Sequence, residues 1–133
     1  MQRAAIRTFK DLVVWQKAFR LAVDVHQLTK DFPAEEKYGL SAELRKTARS
    51  VTYNIAEGHR RGTTPEYLRF LRIAAGSVAE LETQVLLARA LRYFSEDQAI
   101  RMLALHGDIE RMLAALINKL RAKQARSVGC RPI

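Results

Sequence analysis

Residues 50–58 read Ser-Val-Thr-Tyr-Asn-Ile-Ala-Glu-Gly, and in them polar residues flank an apolar helical stripe instead of keeping to its wet side. At about 3.6 residues per turn, Leu40, Leu44, Ala48, Val51 and Ile55 share one face, with Glu43, Thr47, Ser50, Asn54, Glu57 and Arg61 along its edge. An edge of that kind lies between packed helices, where an amide or carboxylate left unpaired costs about 1–3 kcal/mol. The spacing therefore predicts a structural polar network in which Ser50, Asn54 and Glu57 meet Ser77 and Glu80 of the following helix.

Working outward, the stretch belongs to a helix expected from Ala34 or Glu35 to Gly58, with glycine suited to a C-terminal cap. The helix before it is expected from Asp11 to Lys30, entered through an approximate capping box of Thr8 and Asp11 and closed by Asp31-Phe32-Pro33. It carries two stripes, Leu12, Trp15, Phe19, Ala22 and His26 on one side and Val14, Ala18, Leu21, Val25 and Leu28 nearly opposite. One stripe packs the core, and the second is expected to face another subunit; Val14, Ala18, Leu21, Val25 and Leu28 are the candidates for that interface.

The third helix is expected from Thr64, as N-cap before Pro65, to about Arg92. Its main stripe is Tyr67, Phe70, Ala74, Ser77, Leu81, Val85 and Ala88; a second line, Leu68, Ala75, Ala79 and Leu86, lies opposite and supplies further interface candidates. Gly76 costs about 1 kcal/mol against alanine inside a helix, so a close helix approach is expected there. A Ser95–Gln98 capping box opens the fourth helix, in which Ala99, Met102, His106, Ile109, Leu113, Leu116 and Leu120 keep the strict seven-residue period of a bundle seam. Four helices joined by turns of a few residues make an all-α, antiparallel, up-down-up-down four-helix bundle over residues 11–123. A basic segment (1–10) precedes it, and a disordered basic tail (124–133) is expected to follow.

With 133 residues the chain is one domain, and no apolar run approaches the about 20 residues that span a bilayer. No membrane role is expected. A lone cysteine, Cys130, excludes an internal disulfide, and the absence of an apolar segment after Met1 points to the cytoplasm. The net charge of +9 is unevenly placed. Residues 1–10 hold three basic groups and residues 111–133 hold six, with no acid in either segment, while the remaining 14 basic residues balance all 14 acidic ones. Cationic ends on a neutral body favour a polyanion, although basic tails also occur without specific purpose.

On the outer face of the second helix Lys46, Arg49, Tyr53 and Arg60, with Arg45 at the margin and Arg61 beyond, could hold phosphates and stack a base; the alternative is a solvated face with one half-buried tyrosine. Arg121, Lys123 and Arg126 at the end of the fourth helix are further candidates for nucleic-acid contact. No catalytic constellation emerges. His26, His59 and His106 have no His-x-x-x-His or Glu-x-x-His spacing, and His26 and His106 fall about 10 Å apart along the bundle, so no metal site and no cofactor are expected. Both read as hydrogen-bonded core histidines. Cys130 has no base beside it, the glycines at 58 and 62 lack a following Lys-Ser/Thr, and a Glu57–Glu80 carboxylate pair has no histidines to complete a di-metal site.

The chain resembles the four-helix-bundle proteins of bacterial 23S rRNA intervening sequences, a family that looks related to the accessory variability determinants of diversity-generating retroelements. The resemblance runs from about Phe9 to Leu120. It rests on Asp11-Leu12 with Trp15-Gln16-Lys17-Ala18, Phe32-Pro33, Leu44-Arg45-Lys46, Ser50-Val51 with Asn54-Ile55-Ala56-Glu57-Gly58, and Phe70-Leu71 through Ala74, Gly76-Ser77 and Glu80-Leu81-Glu82. It implies a non-enzymatic homo-oligomeric ring, typically a homopentamer, and relatives that bind nucleic acid and a reverse transcriptase through a basic surface. The chain departs from the commoner residues at Glu43, Thr47, Arg49, Thr52 and Tyr53. Two functions stay open: an accessory protein that binds RNA or DNA without sequence preference, with a reverse transcriptase or ribosomal RNA as partner, and a structural or protein-interaction ring that binds neither.

Overall fold

The computed structural model describes residues 5–129, so Arg3 and Cys130 lie outside the described part. Four helices carry it: α1 (Val13–Leu28), α2 (Leu40–Arg60), α3 (Thr64–Ala90) and α4 (Glu96–Gly129). Cross-helix partners count up along one helix as they count down along the next. His26 and Thr29 of the first hairpin meet Arg49 and Arg45, Thr47 and Ser50 meet Gln84 and Ser77, and Val78 and Arg89 meet His106 and Glu96. Successive helices are therefore antiparallel.

The Thr8–Asp11 capping box is present, with the Asp11 carboxylate accepting from the N–H groups of Arg7 and Thr8 at 2.8 and 3.1 Å. It closes one 3-10 turn, Phe9–Asp11, and α1 begins two residues later than expected. At the other end α1 gives way to 3-10 turns at Thr29–Asp31 and Ala34–Glu36, which delays α2 to Leu40. One aromatic cluster fastens both chain reversals there: the Phe32 ring lies 5.1 Å from Tyr93 and 4.9 Å from Phe94. Glu36 adds a polar tie, one oxygen accepting from the Leu40 N–H at 3.1 Å and the other from the Tyr93 hydroxyl at 3.0 Å.

Gly58 is not a cap. The helix continues through it to Arg60, and a Cβ at this buried position would stand 2.8 Å from the Phe70 Cβ, so the glycine permits close approach of α2 and α3. Gly76, expected to mark such an approach, has nothing within 4 Å of the same test position. Thr63, not Thr64, is the N-cap of α3, after Gly62 takes a left-handed φ of 83°. The Ser95–Gln98 box opens α4 reciprocally, at 3.0 and 3.1 Å. The helix then runs on to Gly129, so residues 124–129 are helical where a disordered tail was expected.

The seam of α4 is buried at Ala99, Met102, His106, Ile109 and Leu113, and its apolar members share one core cluster with Leu44 and Ile55 of α2 and Leu71 and Leu81 of α3. On α1 the expectation is inverted. Val14, Ala18, Leu21 and Val25 are buried within this chain and are core, not subunit interface, and Leu68 of α3 is core as well. Two stripes of similar apolarity cannot reveal which one faces inward; α2 and α4 decide it by covering Leu21 and Val25. The outward apolar residues are Val13, Phe19 and Val23 on α1 and Ile73, Leu86 and Leu87 on α3. Of the interface candidates, Ala79 and Leu86 are exposed, and Leu28 and Ala75 are half-buried. Among the described residues no helix is long and apolar enough to cross a membrane.

Candidate nucleic-acid interface

Positions 45, 49 and 53 lie on successive turns of α2, and positions 19, 23, 26 and 30 on successive turns of α1 and the turn after it. Their antiparallel pairing forms a groove of about 560 Å³ lined by Phe19, Val23, His26, Lys30, Arg45, Arg49, Thr52 and Tyr53, among others. Among the described residues no carboxylate lines it.

Neutral acceptors hold its arginines. Arg45 donates through Nε to the Thr29 hydroxyl at 2.8 Å and through a terminal nitrogen to the His26 carbonyl at 3.4 Å. Thr29 in turn donates to the Val25 carbonyl at 2.7 Å, which fixes its oxygen as an acceptor for Arg45. Arg49 approaches Nε2 of His26 at 3.2 Å. A guanidinium can only donate, so Nε2 accepts and the neutral ring carries its proton on Nδ1. Burial first, then Arg49, Arg45 and Lys30, holds the His26 pKa below its usual value. Among the described residues no ion pair involves Lys30, Arg45 or Arg49. Positive charge is thus gathered and restrained without an internal counter-ion.

The other expected contacts do not join this groove. Lys46 and Arg60 are exposed on α2 outside it. Arg61 is committed elsewhere, paired with Glu57 at 3.0 Å and lying over the Phe70 ring. Arg121, Lys123 and Arg126 are exposed near the end of α4. By the 100° helical step Lys119, Lys123 and Arg126 share one side and Arg121 points nearly the opposite way. A second groove, between α1 and α4, holds Lys17, Arg20 and Arg101 but also Asp24 and Asp108, and the Lys17–Asp108 ion pair at 2.8 Å bridges it. It is not a cationic site.

The polar edge of α2 divides. Ser50 and Ser77 join through their hydroxyls at 2.9 Å, and Asn54 donates to the Ser50 carbonyl and hydroxyl instead of reaching α3. Glu57 faces Arg61 and takes no part. Glu80 is linked by a long 3.5 Å bond to Gln84, whose amide also donates to Thr47 at 3.0 Å. Glu57 and Glu80 therefore form no carboxylate pair.

Spacing along single helices also missed a cluster of Glu82, His106 and Glu110, whose ligand atoms lie within 4.8 Å of one another. His106 is the hydrogen-bonded core histidine expected: its Nε2 stands 2.8 Å from the Val78 carbonyl and 3.4 Å from Glu82. A ring nitrogen facing a carbonyl must carry the proton, so Nε2 has no lone pair to offer a metal.

No curated protein matches the chain. A solved structure from Bacteroides thetaiotaomicron VPI-5482, a protein of unknown function from the S23 ribosomal protein family, shares 23% identity, with 80% of this chain and 96% of that chain covered and a TM-score of 0.74. At that identity the likeness bears on the fold alone. The sequence model of the 23S rRNA-intervening sequence proteins matches residues 10–115. That span takes in α1, α2, α3 and the buried seam of α4, and the chain accordingly belongs to the 23S rRNA-intervening sequence protein family.

Proposed function

We propose that this protein is a non-enzymatic, homo-oligomeric accessory protein of the cytoplasm that binds RNA or DNA through basic surfaces with little sequence preference. The observation that carries the reading is the acid-free groove between α1 and α2, where Arg45, Arg49 and Lys30 stand beside the exposed rings of Phe19 and Tyr53. Cations beside aromatic faces are the components of phosphate tracking and base stacking. Lys119, Lys123 and Arg126 on α4 add a second basic stripe. In a ring, pentameric as the family resemblance implies, each subunit repeats these groups around the axis, so modest contacts become multivalent. Ribosomal RNA is the partner suggested by the family's name, and a reverse transcriptase is the partner suggested by the retroelement relatives.

Titration of labelled RNA and DNA at low salt, with light scattering after size exclusion, tests both parts. Binding of both polymers and a mass several times 15.2 kDa are expected. A monomer removes the ring, and no binding at low salt removes the nucleic-acid role.

A second reading, a protein-interaction ring without nucleic acid, draws on the outward face of α3, where the apolar Ile73, Leu86 and Leu87 are exposed beside the small Gly76 and Ala79. Failure to bind either polymer, together with an intact oligomer, favours it.

A further inference from the structure

We infer that the groove between α1 and α2 is a subsite for one unpaired nucleotide, with its phosphate on Arg45 and Arg49 and its base against Tyr53 and Phe19. This rests on the nucleic-acid reading and narrows it to single strands or free nucleotides.

Charge identifies the phosphate. Two half-buried guanidiniums and Lys30 share a groove with no carboxylate, and their hydrogen bonds go to a hydroxyl, a carbonyl and an imidazole. Neutral acceptors orient these groups but leave their mutual repulsion in place, which an anion relieves. Arginine forks suit phosphate because they offer parallel donors.

Shape and apolarity identify the base. The groove's volume of about 560 Å³ falls within the range of small-molecule sites. Tyr53 is 63% and Phe19 50% exposed, and Tyr53 follows Arg49 by one helical turn. A base can cover such a ring only if its own face is free. In a duplex each face is already stacked, so a paired nucleotide offers these arginines its phosphate and leaves the tyrosine uncovered.

His26 couples the subsite to pH. Its Nε2 accepts from Arg49, and the charged groups facing the ring are Arg49 and Arg45 from α2 and Lys30 after α1, with the Tyr53 phenol in the same groove. A phosphate drawing Arg49 toward itself frees Nε2 and supplies the anion that a protonated ring needs. Binding thus takes up a proton at Nε2, and affinity rises as pH falls, by at most about tenfold per pH unit for one proton.

The test is fluorescence anisotropy at low salt with an oligouridylate of about ten nucleotides, an RNA duplex of equal length, and uridine monophosphate as competitor, at about pH 5.5 and about pH 8. The single strand should bind about tenfold or more tightly than the duplex, which is the scale of one stacked base. Tyr53→Ala should abolish that preference and Tyr53→Phe should keep it, both being changes at an exposed position. Arg49→Gln should weaken the strand, and His26→Gln should remove the pH dependence. Competition by the monophosphate would identify a free nucleotide as a sufficient ligand; strand binding without it would identify the polymer. Equal binding of strand and duplex, unchanged by Tyr53→Ala, overturns the subsite while leaving general nucleic-acid binding intact. A strand preference that ignores pH overturns the His26 coupling. Absence of all binding at low salt overturns the broader reading too.

Discussion

The hydroxyls of Ser50 and Ser77 stand 2.9 Å apart where α2 crosses α3, and Asn54, one turn further along α2, donates to the same Ser50 oxygen at 3.1 Å. The three side chains satisfy one another in a half-buried seam. Asn54→Leu or Ser77→Ala should lower stability in urea unfolding by about 1–3 kcal/mol, the scale of a polar partner removed from such a site. Glu57→Leu should change it by no more than about 0.5 kcal/mol, because its ion pair with Arg61 is an exposed one a single turn away.

Two glycines should respond oppositely to alanine. At Gly58 the new methyl meets the Phe70 Cβ and the Tyr67 backbone, and both helices must move apart, at a cost of about 1–3 kcal/mol. At Gly76 the space is open and only the backbone entropy changes, so Gly76→Ala should stabilise by up to about 1 kcal/mol. Thermal unfolding of the two variants beside the parent protein reads both signs.

Arg92 sits at φ 63° after α3, where the Tyr93 N–H turns back to the Ala88 carbonyl. A left-handed residue with a Cβ carries a penalty that glycine avoids. Arg92→Gly should therefore raise stability by about 0.5–1 kcal/mol, and a fall in the unfolding midpoint would show that the Arg92 side chain contributes more than its backbone costs.

Acid should weaken the fold in two separate windows. His26 is held below its ordinary value of 6.5, so between 6.5 and that lowered value the unfolded chain binds more protons and stability falls as the pH falls. Asp11, lowered by the N–H groups of Arg7 and Thr8, and Asp108, lowered by Lys17, contribute stability that is present above 3.8 and lost as pH falls through their depressed values. In melting curves measured across pH, His26→Gln should remove the upper loss and Asp108→Asn should shrink the lower one.

The legible parts of the fold were those written within one helix. The α4 seam and both capping boxes depend on spacings of three, four and seven residues, and all stand in the structure. What depends on a second helix was not legible. Leu21 and Val25 turn inward because α2 and α4 cover them, and Gly58 is buried because Phe70 arrives opposite it. The extension of α4 carries no apolar period from Arg121 to Arg126, yet its arginine, alanine, lysine and glutamine are strong helix formers that need no buried face. The candidate site divides in the same way. Arg45, Arg49 and Tyr53 share a face by α2 spacing alone, whereas His26, Lys30 and Phe19 join them through a register set by the turns between Thr29 and Gly39.

The most direct measurement is the salt dependence of single-stranded RNA binding, compared between the parent protein, Arg45→Gln/Arg49→Gln and Lys123→Gln/Arg126→Gln. Each phosphate that a variant no longer neutralises should flatten the log–log slope by about 0.7. The groove variant should bind more weakly and with a shallower slope, and the α4 variant should retain the greater part of both. An unchanged affinity and slope in the groove variant, or no binding by the parent protein at low salt, would contradict strand binding in the α1–α2 groove.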